Sequence, residues 1–245
     1  MFELKQRVVL VTGASRGIGK GIALGLGRSG ATVAVNYRER GVQAEAVVEA
    51  LRKGSSRASA FRADVSRATE VQSMVHDVEK KLGPIDILVN NAGMAVSRGL
   101  EEMTEEDFDR DIAVNLKSAF LCMQAVLPGM RARQWGRIVN VSSIGARIGA
   151  GSVSIAYGAS KAGLEGLTRA YALRLAREGI TVNAVAPGLI DTEMGKPLLE
   201  AGVPARIPMG RAGTADEIGQ AVLLIVSNGY MTGQTIAVNG GTLFS

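Results

Sequence analysis

Seven short apolar runs recur along this chain, and all but the last lead into a segment of helical character. That alternation limits the fold more than any other feature. The runs are Val8–Thr12, Thr32–Tyr37, Ala58–Arg62, Ile85–Asn90, Gly136–Ser142, Thr181–Ala186 and Thr235–Asn239. Most are apolar at consecutive positions, which suits strands buried on both faces. Helices are read at Gly17–Arg28, Val42–Lys53, Ala68–Leu82, Asp107–Arg133, Ile155–Glu178 and Ala215–Ser227. Strands separated by helices pair in parallel. A chain of 245 residues, 47% of them hydrophobic, can bury a core on both sides of such a sheet. The expectation is one doubly wound α/β domain over residues 1–245, with a seven-stranded parallel sheet and helices on both faces. Its ligand belongs at the carboxyl ends of the strands, near the reversal of strand order.

The first strand ends in Thr12-Gly13-Ala14-Ser15-Arg16-Gly17-Ile18-Gly19. Gly13 permits a tight turn, and Gly17 and Gly19 let backbone approach a pyrophosphate and pack the helix on the sheet. Free amides at the helix start carry partial positive charge toward an anion. The spacing G-x-x-x-G-x-G differs from the general G-x-G-x-x-G fingerprint. The turn therefore points to a nucleotide without naming one.

Tyr157 and Lys161 stand four residues apart within Ala-Tyr-Gly-Ala-Ser-Lys-Ala-Gly. On a helix both fall on one face. An ammonium beside a phenol is expected to lower the phenol's pKa and make it a usable proton donor and acceptor.

Several function classes drop out. The net charge is +5, but the basic residues form no long run. Arg131, Arg133 and Arg137 surround Trp135 without the interleaved aromatics of a stacking platform, so no nucleic-acid partner is expected. The single cysteine, Cys122, excludes an internal disulfide. Val8–Val11 is too short for a signal-peptide core, and no stretch approaches the ~18 apolar residues of a membrane span. A cytoplasmic location without membrane contact is expected. His76, the one histidine, lies in a polar helical stretch, which disfavours a Ser-His-acid triad. One His and one Cys do not make a usual zinc site, so no metal is expected. The acidic stretch Glu101–Asp111 reads as a helix start.

The motifs taken together resemble the short-chain dehydrogenase/reductase family. The resemblance runs through Thr12–Gly19, Asp64-Val65, Asn90-Asn91-Ala92-Gly93, Asn115, Ser143, Tyr157–Lys161, Pro187-Gly188, Thr192, Thr232-Gly-Gln and Asn239-Gly-Gly. Within the family the chain is most similar to the 3-oxoacyl-(acyl-carrier-protein) reductases. This implies a Rossmann-type fold, a homotetramer and a step of fatty acid biosynthesis. It also implies hydride transfer from a nicotinamide cofactor to a ketone. Tyr157 would donate the proton, Ser143 would hold the same oxygen, and Lys161 would bind the nicotinamide ribose. Asn115 would hold a water linking Lys161 to solvent. Ser142 is the rival for the serine role. Ser143 precedes Tyr157 by fourteen residues, one more than the family usually has, which suggests an insertion within Ile148–Ser154 lining the substrate pocket.

The resemblance also places the cofactor. Gly13, Ser15, Arg16, Gly17, Ile18 and Gly19 would hold the pyrophosphate side. Asp64 and Val65 would cradle the adenine, and Asn91, Ala92 and Gly93 the adenosine ribose. Pro187, Gly188, Ile190 and Thr192 would hold the carboxamide end. Strand two ends in Tyr37-Arg38, with Tyr37 where an acid would favour a free ribose diol. Arg38 and Arg16 suit a 2′-phosphate, with no acid competing for them, so NADP(H) is expected. The segment Leu189–Gly213 reads as a lid, and Met194, Leu198, Leu199 and Met209 suit an apolar or acyl group. Glu178 stands where carrier-protein reductases usually have a basic residue, which leaves Arg131 and Arg133 as candidate carrier contacts. A small free ketone or secondary alcohol is the alternative substrate, and a catalytically idle nucleotide-binding scaffold the remote one.

Overall fold

The computed structural model describes residues 4–96, 98–149 and 154–244. Strands β1 (Val8–Val11), β2 (Thr32–Tyr37), β3 (Ala58–Arg62) and β4 (Ile85–Asn90) alternate with helices α1 (Gly17–Arg28), α2 (Gly41–Lys53) and α3 (Ala68–Leu82). Next come α4 (Glu105–Ile112) and α5 (Ser118–Ala132), joined without a break through a π turn at Ala113–Lys117. The remaining elements are β5 (Gly136–Val141), α6 (Gly145–Ile148), α7 (Ile155–Leu175), β6 (Ile180–Pro187), α8 (Lys196–Glu200), α9 (Ala215–Ser227) and β7 (Thr235–Val238).

The seven strands form one parallel sheet in the order β3-β2-β1-β4-β5-β6-β7. This is a Rossmann-like doubly wound arrangement. The order reverses between β1 and β4, so a crevice opens beyond their carboxyl ends. Alternate residues of each strand feed two cores. Val9, Val11, Val33, Ile87 and Val139 pack with α1, α2 and α9 on one face. Val8, Leu10, Leu88, Ile138 and Val182 pack with α3, α5 and α7 on the other. Burying both faces explains why the strands read as continuous apolar runs.

Helices α1 and α9 approach closely because glycines line their contact. A Cβ added at Gly21 would lie 2.4 Å from the Ala215 carbonyl oxygen, and one at Gly219 2.9 Å from that of Gly21. The helical run 105–132 contains a window long and apolar enough to cross a membrane by length and composition, contrary to the expectation that none comes close. Its Cys122, Met123, Val126 and Met130 instead pack onto the sheet. The expected insertion within Ile148–Ser154 falls largely on residues 150–153, outside the described residues.

Candidate active site

The carboxyl end of β1 is shaped by buried hydrogen bonds. Gly13 takes a left-handed φ of 62°, and its amide donates to Asn36 Oδ1 at 3.1 Å. Asn36 Nδ2 reaches the Phe61 and Ala63 carbonyls at 3.3 and 3.2 Å, so one amide ties three neighbouring strand ends together. Thr12 Oγ1 accepts from the amides of Asn91 and Ala92, both at 3.0 Å. Asn91 Nδ2 donates back to the carbonyls of Thr12 and Gly13 at 2.9 and 3.2 Å. Polar groups of Asn91 and Ala92 thus brace the glycine turn. Gly19 serves the same packing, since a Cβ there would meet Asn91 Nδ2 at 2.4 Å. Gly17 has a different neighbour: a Cβ there would meet Thr192 Cγ2 at 3.5 Å, across the crevice mouth.

Helix α1 begins with no side-chain cap and no acidic residue in its first turn. Its leading amides and dipole are therefore free to receive an anion. Ser15 and Arg16 lead into it, and Ile18 packs against the core.

Beyond β2, Tyr37 packs against Gly41 at the start of α2. Arg38 pairs with Glu39 at 2.7 Å and lies 4.0 Å from Asp64. Arg16 pairs with Glu193, which also reaches Arg40 at 3.3 Å. The expectation that no acid competes for these cations is overturned, because folding brings Glu193 from the lid segment onto the glycine turn. Asp64 is pushed up by burial, but hydrogen bonds from Ser66 and the charges of Arg38 and Arg67 outweigh this and hold it below the usual carboxylate range. The Val65 side chain is in the core.

Deeper in the crevice, Asn90 Nδ2 donates to Asn140 Oδ1 at 2.9 Å across β4 and β5, and Asn140 Nδ2 donates to Thr168 Oγ1 at 2.9 Å. Asn90 belongs to the Asn-Asn-Ala-Gly motif, whereas Asn140 and Asn36 are supports to which the sequence motifs assign no role. Each interrupts an apolar strand, which was a readable signal.

Asn115 lies in the π turn, buried. π turns often mark functional places in helices. Its Oδ1 accepts from the Met94 amide at 2.8 Å, and its Nδ2 donates to the Met94 carbonyl at 2.9 Å. A Cβ at Gly93 would lie 3.0 Å from Asn115 Oδ1 and 3.5 Å from Lys161 Nζ, so these three residues meet.

The serine question separates by geometry. Ser142 Oγ is buried against the Lys161 carbonyl and Glu165 Oε1, both at 3.2 Å. Ser143 Oγ accepts from the Gly145 amide at 3.0 Å and acts on the Tyr157 phenol, favouring its ionised form. Lys161 Nζ donates to the Val141 carbonyl at 2.8 Å and lies 5.7 Å from the centre of the Tyr157 ring. Burial lowers the Lys161 pKa to about 8, while the charge of Asp111 opposes the fall.

Tyr157 departs from expectation. Its phenol is raised above its ordinary value, first by burial and then by the charge of Asp111, with the Ser143 hydrogen bond pulling the other way. A lysine turned to a carbonyl and weakened by its own burial does not offset the loss of water around a phenolate.

The carboxyl end of β6 completes the crevice. The Pro187 carbonyl accepts from the Ile144 amide at 3.0 Å, and Gly188 abuts Asn239. Ile190 is buried and bridges to Gly213. Arg131, one of the candidate carrier contacts, donates to both carboxylate oxygens of Glu178 at 2.7 and 3.1 Å. Arg133 donates to the Ile85 carbonyl at 2.7 Å.

A family model described as "Enoyl-(Acyl carrier protein) reductase" matches residues 13–242. A 3-oxoacyl-(acyl-carrier-protein) reductase of Pseudomonas aeruginosa is 43% identical, covering 99% of this chain and all of that protein. The enzyme of that name from Staphylococcus epidermidis is 44% identical over 95% of this chain and 97% of its own. The crystal structure of a putative short-chain alcohol dehydrogenase from Sinorhizobium meliloti superposes with a TM-score of 0.91 at 38% identity, covering 98% of this chain and 97% of that one. By sequence and by sheet order alike, the chain belongs to the short-chain dehydrogenase/reductase family, oxidoreductases that use a nicotinamide cofactor.

Proposed function

We propose that this protein is an NADPH-dependent reductase of a ketone, of the 3-oxoacyl kind its relatives are named for. The observation that carries the reading is the grouping of Ser143, whose hydroxyl favours the ionised form of Tyr157, with Lys161, buried with its Nζ 5.7 Å from the centre of the Tyr157 ring. Two hydroxyls converging in one crevice suit a carbonyl oxygen that is becoming an alkoxide.

The residues present fit a dinucleotide. The uncapped start of α1, the positive φ of Gly13 and Gly17, and the approach of Thr192 leave a backbone cradle for a pyrophosphate. Arg16 and Arg38 stand at the adenosine end. Asp64, Val65, Asn91, Ala92 and Gly93 border the adenosine, and Pro187, Gly188, Ile190 and Thr192 the nicotinamide. Bound there, the nicotinamide supplies the hydride.

Tyr157 gives its proton to the substrate oxygen, and its raised pKa keeps the phenol in the donating form at neutral pH. Ser143 hydrogen-bonds the same oxygen. Lys161 spends one N–H on Val141, which leaves donors for ribose hydroxyls. Asn115 clamps Met94 with one N–H and one lone pair of its side chain, and its place beside Lys161 suits a water linking that ammonium to solvent. The engaged Arg131 and Arg133 leave the reading resting on the keto group rather than on a docked carrier.

Assembly as a homotetramer is part of the same reading. An apolar groove of about 480 Å³ lies between the π turn and α7, lined by Leu116, Phe120, Gly163, Gly166 and Leu167 among others. Phe120 is 42% exposed there, which suits a second copy of this chain.

The test follows NADPH absorbance over carrier-bound, coenzyme A-bound and small free ketones, with an enoyl thioester alongside. Wild type should reduce a ketone, and Tyr157→Phe should bind NADPH yet lose turnover. Reduction of the enoyl compound alone would favour the reaction in the family model's description. Near-normal turnover by Tyr157→Phe would remove Tyr157 as the acid.

A further inference from the structure

The reaction centre contains a buried acid that the proposed chemistry leaves unused. Asp111 stands in the last turn of α4 with no solvent exposure. Its Oδ2 accepts from Ser154 Oγ at 3.1 Å. Ser154 is the N-cap of α7, and the same oxygen accepts from the Tyr157 amide at 3.0 Å. Asp111 therefore grips the side chain that sets where α7 begins, three residues before Tyr157. Its Oδ1 meets no donor within hydrogen-bond distance among the described residues, and the Val96 amide acts on the carboxylate only from beyond that distance.

Anchoring Ser154 does not by itself require an acid. An asparagine would accept the same bond without the penalty of a buried charge. The charge finds its use on α7. Lys161 is 4% exposed, and an ammonium so buried needs a nearby anion to stay charged. Asp111 reaches α7 through Ser154, whose oxygen takes the Tyr157 amide, and the Tyr157 ring centre lies 5.7 Å from Lys161 Nζ, so this buried acid stands on the same turns of the helix as the ammonium and its charge favours it.

We infer that Asp111 is a positioning residue of the reaction centre, whose carboxylate seats Tyr157 through the Ser154 cap and serves as the buried counter-charge of Lys161. The inference rests on the proposed roles of Tyr157 and Lys161. The groups facing Asp111 are Asp107 and Arg110 on its own helix, the Val96 amide from the loop after β4, and Ser154, Tyr157 and Lys161 from α7 and its cap. Burial raises its carboxyl, Ser154, Val96 and Arg110 in turn favour the charged form, and Asp107 opposes it.

A negative charge here favours the protonated form of both Tyr157 and Lys161. Removing it moves both titrations to lower pH, so the sign does not depend on which group is read. The experiment is an ultraviolet difference titration of tyrosinate in the cofactor-free protein, with Tyr157→Phe as the subtraction. In Asp111→Asn the Tyr157 transition should shift to lower pH, and the basic limb of ketone reduction should shift with it. Ser154→Ala removes the cap and a donor to the carboxylate. It should lower turnover and move the acidic limb to higher pH, and it provides the test if Asp111→Asn does not fold. Titrations and limbs that stay in place in the folded variants would overturn the inference, whatever happens to stability. A shifted tyrosinate titration without ketone reduction would instead leave the inference standing and remove the proposed function.

Discussion

Asn115 and Met94 exchange two hydrogen bonds, side chain to main chain, at 2.8 and 2.9 Å. The pair fastens the loop after β4 to the π turn, and the loop carries Gly93 toward Lys161. Replacing Asn115 by Ala strands the Met94 amide and carbonyl. Leaving such groups unpaired costs about 1–3 kcal/mol each, less whatever water repairs. The expected outcome is a lower melting temperature, with faster hydrogen exchange concentrated at Met94 and its neighbours. Exchange spread evenly over the protein would show that the clamp is not local.

Lys161 should weaken the fold it serves. Its pKa in the folded state is about 8, below the ordinary 10.5. Between those values the unfolded chain holds a proton that the folded chain has lost, so this group makes stability rise with pH across the window. Below about 8 the penalty is present in full, on the order of 3 kcal/mol. Lys161→Met should therefore lose turnover and lose the rise in stability across that window, which wild type keeps. Urea melts of both cofactor-free proteins across that range test this. A constant difference would assign the effect to packing.

Much of this was legible beforehand, for physical reasons. Strands buried on both faces must be apolar throughout, so Val8–Val11 and Ile85–Val89 declared themselves. The break in helical register at Asn115 was hidden, since nothing in Ala-Val-Asn-Leu-Lys demands a π turn before Met94 is in place. Glu193 was equally hidden. It pairs with Arg16 across 177 positions, and only the return of the chain after β6 brings them together. The raised pKa of Tyr157 is not legible in the sequence, because spacing shows a neighbouring charge but not the depth of burial.

The groove beside the π turn makes assembly testable by one residue. Phe120 lines it half-exposed, with Gly163 and Gly166 opposite. A carboxylate there would be desolvated by any copy packing on the groove. Phe120→Asp should shift light scattering from a tetramer to smaller species at micromolar concentration, while the secondary structure persists. A monomeric wild type would sink the assembly reading outright.

The cofactor prediction turns on the ion pairs at the crevice mouth. Glu193 holds Arg16 and Arg40, and all three side chains are substantially exposed. Such pairs are worth about 0.2–1 kcal/mol. A 2′-phosphate must displace the carboxylate, so Glu193→Gln should tighten NADPH by roughly 1.5- to 5-fold and leave NADH nearly unchanged. Arg16→Ala removes a charge-assisted bond worth about 1.5–3 kcal/mol, less the Glu193 pair it also releases. It should weaken NADPH by roughly tenfold to a hundredfold at most. Arg38→Asp should reverse the preference, repelling the phosphate and accepting from the ribose diol. Paired titrations of NADPH and NADH against the three variants measure this directly. Parallel changes for both cofactors would make these arginines bystanders, and the preference for NADPH would fall with them.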